Sequence, residues 1–381
     1  MKRLLIKNAH IVSAGIDYEH AALVVCGNKI DAILPEAPEN FDGEVFDAQN
    51  NYLMPGFIDC HCHGRNNFDF CDGSEQGAAC IAKNKLAEGV TTLLPTTLTV
   101  SERELVAALK SVAAYDQSSG CRIPGVHLEG PFINPKCLGA QNPEFVRPID
   151  MSEVERLNAI FPVKKITFAV EMPGGSQFVA DLLKSGIVPS CTHSAATYQD
   201  FANAYRAGLR NLSHFCNQMT ALHHRDIGLV GAGLLHKEVF AEFICDKLHI
   251  SPPMIKLVFQ VKGADRVLLI SDAMRAAGMP DGDYTLGGLP VVVSGGAARL
   301  KEGGALAGST LQIATALKNI YEITGLPISE AVKSATSTPA ASLGLCDRGK
   351  LHVGYLADMV VLNSDFKVLR TYVDGELRYQ A

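Results

Sequence analysis

The sequence predicts an α/β protein built as a (β/α)8 TIM-type barrel, with a small β-sandwich-like domain formed by both chain ends. Three observations carry this prediction. Short apolar runs alternate with helical patterns in the middle of the chain, strand patterns occupy both ends, and polar residues follow several of the apolar runs. The expected bounds are residues 1-53 and 348-381 for the small β domain and residues 54-347 for the barrel.

Both ends of the chain carry short strand patterns separated by turn-forming residues. Gly27-Asn28 and Asn50-Asn51 mark turns near the N-terminus, and Asp374-Gly375 is a strong hairpin signal near the C-terminus. The two ends are therefore expected to pair into one sheet layer beside the barrel. The candidate strands are Leu4–Ile6, His10–Val12, Ala22–Val25, Lys29–Ile33, Ala357–Leu362, Val368–Val373 and Glu376–Tyr379.

Between the ends, apolar runs alternate with stretches of helical periodicity. Repeated β-then-α units of this kind predict a parallel barrel. The strand candidates are Gly56–His63, Thr91–Pro95, Gly125–Glu129, Ile166–Glu171, Val188–His193, Asn211–Asn217, Val239–His249 and Val267–Asp272. The helical candidates are Glu75–Glu88, Glu102–Ala114, Ser152–Ile160, Gln177–Leu183 and Thr197–Ala207.

The composition fits an enzyme core. Of 381 residues, 47% are hydrophobic and 19% charged, and the net charge is -6, which argues against disorder. No basic stripe is present, so no nucleic-acid partner is expected. No run approaches the roughly 20 apolar residues that cross a bilayer, so no membrane partner is expected. Lys2 and Arg3 mimic a signal peptide, but Lys7, Asn8 and His10 interrupt the apolar run, and a cytoplasmic location is expected.

The eleven cysteines are spread through the chain, many in apolar contexts such as Cys26, Cys80 and Cys245. Reduced, buried thiols in a cytosolic protein are the simplest interpretation. Disulfide pairing is the minority alternative, given this spread and the odd number.

Candidate metal ligands occur at the ends of the apolar runs, where a barrel carries its catalytic groups. The first such run ends in Asp59-Cys60-His61-Cys62-His63. Alternate residues of a strand share a face, so His61 and His63 point the same way and can hold one divalent metal. A chance surface pair is the plain alternative. A cysteine–histidine zinc knot fails, because thiols and imidazoles would face opposite sides.

Three further nitrogen or oxygen ligands follow on later strands. Glu129 lies directly before a Gly-Pro pair, where the chain turns sharply out of the barrel, and His193 and His214 lie on the fifth and sixth strand candidates. Each histidine alone is more typical of a structural residue. Together with Glu129 they supply the three ligands of a catalytic zinc with an open position. His127 lies deeper on the Glu129 face, and a hydrogen-bonded core histidine is the preferred interpretation.

Asp272 follows the apolar run of the eighth strand candidate. Packing explains this position poorly, because a buried carboxylate is costly unless it is paired or bound to metal. Near a metal, Asp272 can accept a proton from bound water and later deliver it to a leaving group. The alternative is a helix N-cap before Ala273–Ala277, and the two roles are compatible.

Several motifs resemble a known family. The His61-x-His63 pair after Pro55–Asp59 resembles the first-strand signature of amidohydrolase-superfamily enzymes. The other motifs resemble the N-acetylglucosamine-6-phosphate deacetylases, and the similarity runs through essentially the whole chain. These motifs are HLEGPFINPKCLGA (His127–Ala140), THSAAT (Thr192–Thr197), SHFCNQM (Ser213–Met219), HHRDIG (His223–Gly228), ISDAMRAAG (Ile270–Gly278) and ALAGST (Ala305–Thr310).

The resemblance implies metal-dependent deacetylation of N-acetyl-D-glucosamine 6-phosphate to D-glucosamine 6-phosphate and acetate, in amino-sugar catabolism. The three later ligands would hold the main metal, the His61-x-His63 pair a second one, and Asp272 would be the acid/base residue. One or two divalent ions per subunit (zinc, iron, manganese or cobalt) and a homodimer are expected. The residues implied to contact substrate are Ala140, Gln141, Asn217, Gln218, Arg225, His249, Leu306, Ala307 and Gly308.

Within this set, Asn217 and Arg225 are implied to grip the phosphate, and His249 to contact substrate partly across a subunit boundary. The guanidinium fork of Arg225 suits a phosphate. Without the motif, Arg225 would be interpreted as a solvated loop arginine.

Three positions depart from the family pattern. The family typically has His where this chain has Gln141, Ala where it has Gln218, and Gly where it has Lys247. These changes touch recognition more than the metal or Asp272. The alternatives are therefore another N-acetyl amino-sugar phosphate, such as N-acetylgalactosamine 6-phosphate, or another amidohydrolase activity.

Two rivals differ in kind. A dihydroorotase-like or dipeptidase-like enzyme would often bridge two metals with a carboxylated lysine at a strand end, and the corresponding strand end has none. A catalytically dead binding barrel would lack a ligand or Asp272, and none is lost.

Overall fold

A computed structural model describes residues 2–381 and contains two large sheets, each with eight strands. One is a parallel barrel and the other combines strands from both chain ends. The strands are β1 (Arg3–Ser13), β2 (Ile16–Cys26), β3 (Lys29–Leu34), β4 (Glu44–Asp47), β5 (Tyr52–Pro55), β6 (Phe57–Cys62), β7 (Gly64–Arg65), β8 (Phe68–Asp69), β9 (Val90–Thr97), β10 (Val126–Glu129), β11 (Val163–Phe168), β12 (Val188–Cys191), β13 (Asn211–Leu212), β14 (Phe240–Phe243), β15 (Val267–Leu269), β16 (Gly282–Leu286), β17 (Leu289–Ser294), β18 (Ala297–Leu300), β19 (Met359–Leu362), β20 (Val368–Val373) and β21 (Glu376–Gln380).

Helices follow the barrel strands and pack their apolar faces against the barrel. Side-chain caps define several starts: Ser101 and Glu104 form a capping box at α2, and Thr197 and Asp200 form one at α5. The helices are α1 (Glu75–Lys85), α2 (Glu102–Ala113), α3 (Met151–Asn158), α4 (Gly175–Lys184), α5 (Tyr198–Ala207), α6 (Gly228–Leu235), α7 (Pro252–Lys262), α8 (Ile313–Thr324), α9 (Ile328–Ala331) and α10 (Ser337–Ser342).

The barrel runs in the order β6, β9, β10, β11, β12, β13, β14, β15, with parallel neighbours throughout. Backbone hydrogen bonds between the carboxyl end of β6 and the segment that follows β15 close the barrel. The Asp272 N–H donates to the carbonyl of His61, and the His63 N–H to the carbonyl of Ala273, both at 2.8 Å. The predicted (β/α)8 barrel is confirmed, and its seam passes through the predicted site.

Several predicted strands extend too far at their carboxyl ends. β12, β13 and β15 stop before His193, His214 and Asp272, which the sequence analysis placed inside strands. These residues have φ values of 49°, 27° and 46°, incompatible with an extended strand. The predicted strand Val239–His249 likewise ends early, at Phe243.

The second sheet follows the order β21, β20, β19, β5, β1, β2, β3, with β4 also paired to β1. It therefore joins the two chain ends, as predicted. Its own apolar core includes Leu4, Leu23, Val361 and Tyr372. β5 belongs to this sheet and β6 to the barrel, while the domain bounds given above stay a prediction.

The sequence analysis missed an antiparallel insert, β16 to β18, between the last barrel strand and α8. Its two hairpins turn at Gly287-Gly288 and Gly295-Gly296, all with positive φ. This insert supplies part of the cavity wall described below.

All eleven cysteines are free thiols, so the disulfide alternative is wrong. Within residues 2–381, the helices lack the combination of length and hydropathy that a membrane crossing requires.

Candidate active site

Four of the five predicted metal ligands, all histidines, converge on the carboxylate of the fifth, Glu129, at the carboxyl end of the barrel. Oε1 of Glu129 lies 3.0 Å from Nε2 of His214, 3.3 Å from Nε2 of His61 and 3.4 Å from Nε2 of His193. Oε2 of Glu129 lies 3.4 Å from Nε2 of His63. All five side chains are buried. Glu129 is thus shared between two possible metal-binding groups, one with His61 and His63 and one with His193 and His214.

Each of the four imidazoles is anchored through its other nitrogen. Because the partners are carbonyl or carboxylate oxygens, which only accept, Nδ1 carries the proton and Nε2 keeps its lone pair. The Nδ1 acceptors are Oε2 of Glu242 for His61 (3.1 Å), the carbonyl of Thr96 for His63 (3.2 Å), that of Cys137 for His193 (2.9 Å) and that of Asn217 for His214 (3.2 Å).

This arrangement fits a divalent metal. Nε2 of His61 is buried and has no hydrogen-bond partner among the described residues, which suits a ligand atom. Burial lowers the pKa of His214, which keeps that imidazole neutral, as a ligand must be. Burial acts to raise the pKa of Glu129, but the neighbouring imidazoles of His61, His193 and His214 outweigh it and hold the pKa well below its usual value. Nitrogen and oxygen ligands of this kind suit zinc, iron, manganese or cobalt.

Asp272 faces the same cluster. Its Oδ1 lies 3.1 Å from Nε2 of His63 and 3.6 Å from Nε2 of His61. Burial acts to raise the pKa of Asp272, but its close contacts with the imidazoles of His61 and His63 outweigh burial and lower the pKa. The N-cap alternative is wrong, because Ala273–Ala277 does not form a helix. The left-handed backbone at Asp272 holds its side chain at the mouth of the barrel.

A cavity of about 310 Å³ opens onto this cluster. Two predicted substrate residues do not line it. Ala307 is fully buried, and Arg225 lies exposed with its Nη1 2.7 Å from Nε2 of His224. The predicted substrate residues on the cavity wall are Ala140, Gln141, Asn217, Gln218, His249, Leu306 and Gly308.

Gln141 is in direct contact with a metal-ligand candidate. Its Nε2 donates to Oε2 of Glu129 at 2.6 Å, and its Oε1 accepts from the N–H of Thr99 at 2.7 Å. His249 is tied at Nδ1 to Oδ2 of Asp246 at 2.6 Å.

The sequence analysis missed Arg299, which lines the cavity from β18 with its Nη1 donating to the carbonyl of Gly304 at 3.0 Å. No spacing signal marks Arg299, because it belongs to the unpredicted insert. Glu242 was missed as well. Its place as the one charged residue of the apolar strand Phe240–Phe243 is the only sequence signal that marks it.

Lys165 and His127 lie inside the barrel, below the candidate metal ligands. Lys165 pairs in register with His127, one level below Glu129, and its ammonium contacts Glu242. It therefore lies too deep for a carboxylated lysine that bridges two metals at the strand end. His127 is buried and hydrogen-bonded to Oγ1 of Thr167 at 2.7 Å, which confirms its interpretation as a core histidine.

The amidohydrolase family model matches residues 52–378. The chain is 39% identical to N-acetylglucosamine-6-phosphate deacetylase of Vibrio furnissii, over 86% of this chain and 83% of that protein. It is 34% identical to the protein of that name from Lysinibacillus sphaericus, over 99% and 98%. It is also 38% identical to N-acetylgalactosamine-6-phosphate deacetylase of Escherichia coli O157:H7, over 87% and 89%.

Solved structures agree with the sequence relatives. N-acetylglucosamine-6-phosphate deacetylase from Thermotoga maritima matches with a TM-score of 0.89 and 35% identity, over 99% of this chain and 100% of that chain. A variant of the Mycobacterium smegmatis enzyme, in complex with N-acetyl-D-glucosamine-6-phosphate, matches with a TM-score of 0.93 and 29% identity over both whole chains. The chain therefore belongs to the amidohydrolase family, in the group of the N-acetylglucosamine-6-phosphate deacetylases.

Proposed function

We propose that this chain is a metal-dependent amide hydrolase that converts N-acetyl-D-glucosamine 6-phosphate to D-glucosamine 6-phosphate and acetate, in amino-sugar catabolism. The observation that carries the proposal is the convergence of four anchored imidazoles on the Glu129 carboxylate, with Asp272 beside His61 and His63, at the end of an open cavity. The similar relatives from Vibrio furnissii and Lysinibacillus sphaericus and the structures matched above carry that activity in their names, which favours the glucosamine substrate over the galactosamine alternative.

The chemistry follows from the positions of the charged groups. Glu129, His193 and His214 would hold a divalent ion, which when bound would supply Lewis acidity to the acetyl carbonyl and to a water molecule. The Asp272 carboxylate accepts the proton of the attacking water as the new carbon–oxygen bond forms. It then returns that proton to the departing nitrogen as the carbon–nitrogen bond breaks, because an unprotonated amide nitrogen is a very poor leaving group.

The phosphate would be bound by neutral and basic residues of the cavity wall. Glu129 and Asp272 make the metal end rich in carboxylates, whereas Asn217, His249 and Arg299 line the wall with groups that can donate to an anion. Binding of the phosphate there would orient the acetamide for attack.

Other parts of the proposal rest on the resemblance. One or two ions of zinc, iron, manganese or cobalt would be bound per subunit, and the active form would be a homodimer in which His249 contacts substrate partly across the subunit boundary. A cytoplasmic location accords with eleven free thiols.

The test is amine release from a panel of 6-phosphates of N-acetylglucosamine, N-acetylgalactosamine and N-acetylmannosamine, with the unphosphorylated sugars as controls. The metal content of the same preparation is measured in parallel. We expect the highest kcat/KM on N-acetylglucosamine 6-phosphate. A higher kcat/KM on the galactosamine epimer would favour the alternative substrate. Equal rates on the unphosphorylated sugars would contradict the proposed phosphate site.

A further inference from the structure

We propose that Gln141 is a positioning residue for the metal centre: its carboxamide holds the Glu129 carboxylate in the orientation in which the imidazoles share it. The resemblance implies instead that this position contacts the substrate. The inference rests on the proposed metal centre and adds to it a residue that acts through a ligand.

The orientation of the Gln141 amide is determined by its partners. The N–H of Thr99 can only donate, so the atom 2.7 Å from it must be the amide oxygen. The amide nitrogen therefore faces Oε2 of Glu129, at 2.6 Å, and donates to it. Gln141 is only 4% exposed, so water does not compete for these bonds. The acceptor and one of the two donor hydrogens are committed before any substrate enters.

The segment around Gln141 also holds a second ligand. The carbonyl of Cys137 accepts the Nδ1 proton of His193 at 2.9 Å. The turn that follows is closed by the Gln141 N–H, which donates to the carbonyl of Leu138 at 2.9 Å. One short loop, residues 137–141, thus orients both His193 and Glu129, which belong to the same metal-binding group.

The two bonds of Gln141 restrain a carboxylate that would otherwise rotate. Oε1 of Glu129 faces His61, His193 and His214, and rotation about the carboxylate would exchange it with Oε2. A hydrogen bond to an ionised acceptor is stronger than one between neutral groups. Groups that orient metal ligands in this way commonly change metal affinity about 10- to 100-fold when they are removed.

The test compares Gln141→Met, which keeps the length but cannot donate, with Gln141→Leu as a second apolar variant. Gln218→Met is the matched control, because Gln218 lines the same cavity and its side chain has no hydrogen bond to a ligand among the described residues. Zn²⁺ affinity is measured by competition with a chromogenic chelator, and thermal unfolding is followed on the metal-free proteins.

We expect both Gln141 variants to bind Zn²⁺ about 10- to 100-fold more weakly, with kcat falling more than KM rises, while Gln218→Met keeps the wild-type affinity. Unchanged Zn²⁺ affinity with a raised KM would overturn the proposal and return Gln141 to the substrate. Equal losses in Gln218→Met would overturn it as well. Because Zn²⁺ affinity is measured without substrate, a failure of the proposed deacetylation would be seen separately.

Discussion

His61 donates its Nδ1 proton to Oε2 of Glu242 at 3.1 Å, and the other oxygen of Glu242 contacts the ammonium of Lys165. All three side chains are buried inside the barrel, below the proposed metal centre. A carboxylate behind a metal-binding imidazole fixes the ring and raises its basicity. Burial lowers the pKa of Lys165 to about 8. The ligand pair at the first strand is therefore supported by an ion pair across the barrel, from β11 to β14.

The first prediction concerns Glu242→Gln. The amide of the variant can still accept the Nδ1 proton of His61 through its oxygen, but the substitution removes the negative charge of Glu242. We therefore expect metal binding at the His61–His63 pair to weaken about 10- to 100-fold. Titration of the metal-free protein with Zn²⁺ or Mn²⁺ measures this. Glu238→Gln, at an exposed glutamate bonded to Tyr205, is the control. Equal metal affinity in both variants would contradict the supporting role.

The second prediction concerns Asp272→Asn. The amide keeps the shape of the side chain but cannot accept the water proton, so we expect kcat to fall about 10²- to 10⁴-fold. Metal content should stay near that of the wild type, because Glu129, His193 and His214 are untouched. Asp283→Asn in the exposed hairpin is the matched change. Full turnover in the Asp272 variant would refute the acid/base role.

The third prediction separates two arginines. Arg299→Met should lower kcat/KM for the phosphorylated sugar about 10- to 100-fold, the equivalent of one lost charge-assisted hydrogen bond, and leave the unphosphorylated sugar unaffected. Arg225→Met is measured in parallel, because Arg225 lies outside the cavity of its own subunit. A loss confined to Arg225→Met would show that the phosphate is held across a subunit boundary and not by Arg299.

The fourth prediction is a pH effect on stability at Asp358, where the chain enters β19. Burial raises the pKa of Asp358 to about 6, against 3.8 for an ordinary aspartate, and its Oδ1 accepts from the N–H of Asp374. The folded state thus favours the protonated form. This stabilisation is complete below pH 3.8 and is lost as the pH rises through about 6.

Asp358→Asn should remove this dependence. Between pH 4 and 7, the free energy of unfolding of the wild type should fall by about 2 kcal/mol relative to that of the Asn variant. Urea unfolding of both proteins at four pH values in this range measures the difference. Asp365→Asn, in the exposed turn after β19, controls for the loss of a charge. Parallel pH profiles for wild type and Asp358→Asn would contradict the raised pKa.

The sequence predicted the barrel because its strands are apolar and its helices amphipathic, patterns that need no knowledge of distant contacts. It also predicted the facing of His61 and His63, since alternation along a strand is a local property. The ends of the strands were predicted poorly. His193 and His214 follow their strands in left-handed conformations that a pattern of residue types does not reveal.

Contacts between distant parts of the chain could not be predicted from the sequence. Nothing local marks Glu242 as the acceptor for His61, or Gln141 as the donor to Glu129, because each pair meets only when the barrel closes. Arg299 was missed for a related reason. Its hairpin is short and turns at a glycine pair, so its pattern does not point to a cavity.

The strand order of the outer sheet has a consequence for biosynthesis. β5 lies between β1 and β19, so the N-terminal strands meet their C-terminal neighbour only after nearly the whole chain has been made. Until then β5, which leads directly into the strand carrying His61 and His63, presents an unpaired edge. During synthesis, the edge of β5 is therefore exposed to pairing with other chains until β19 has left the ribosome and paired with it.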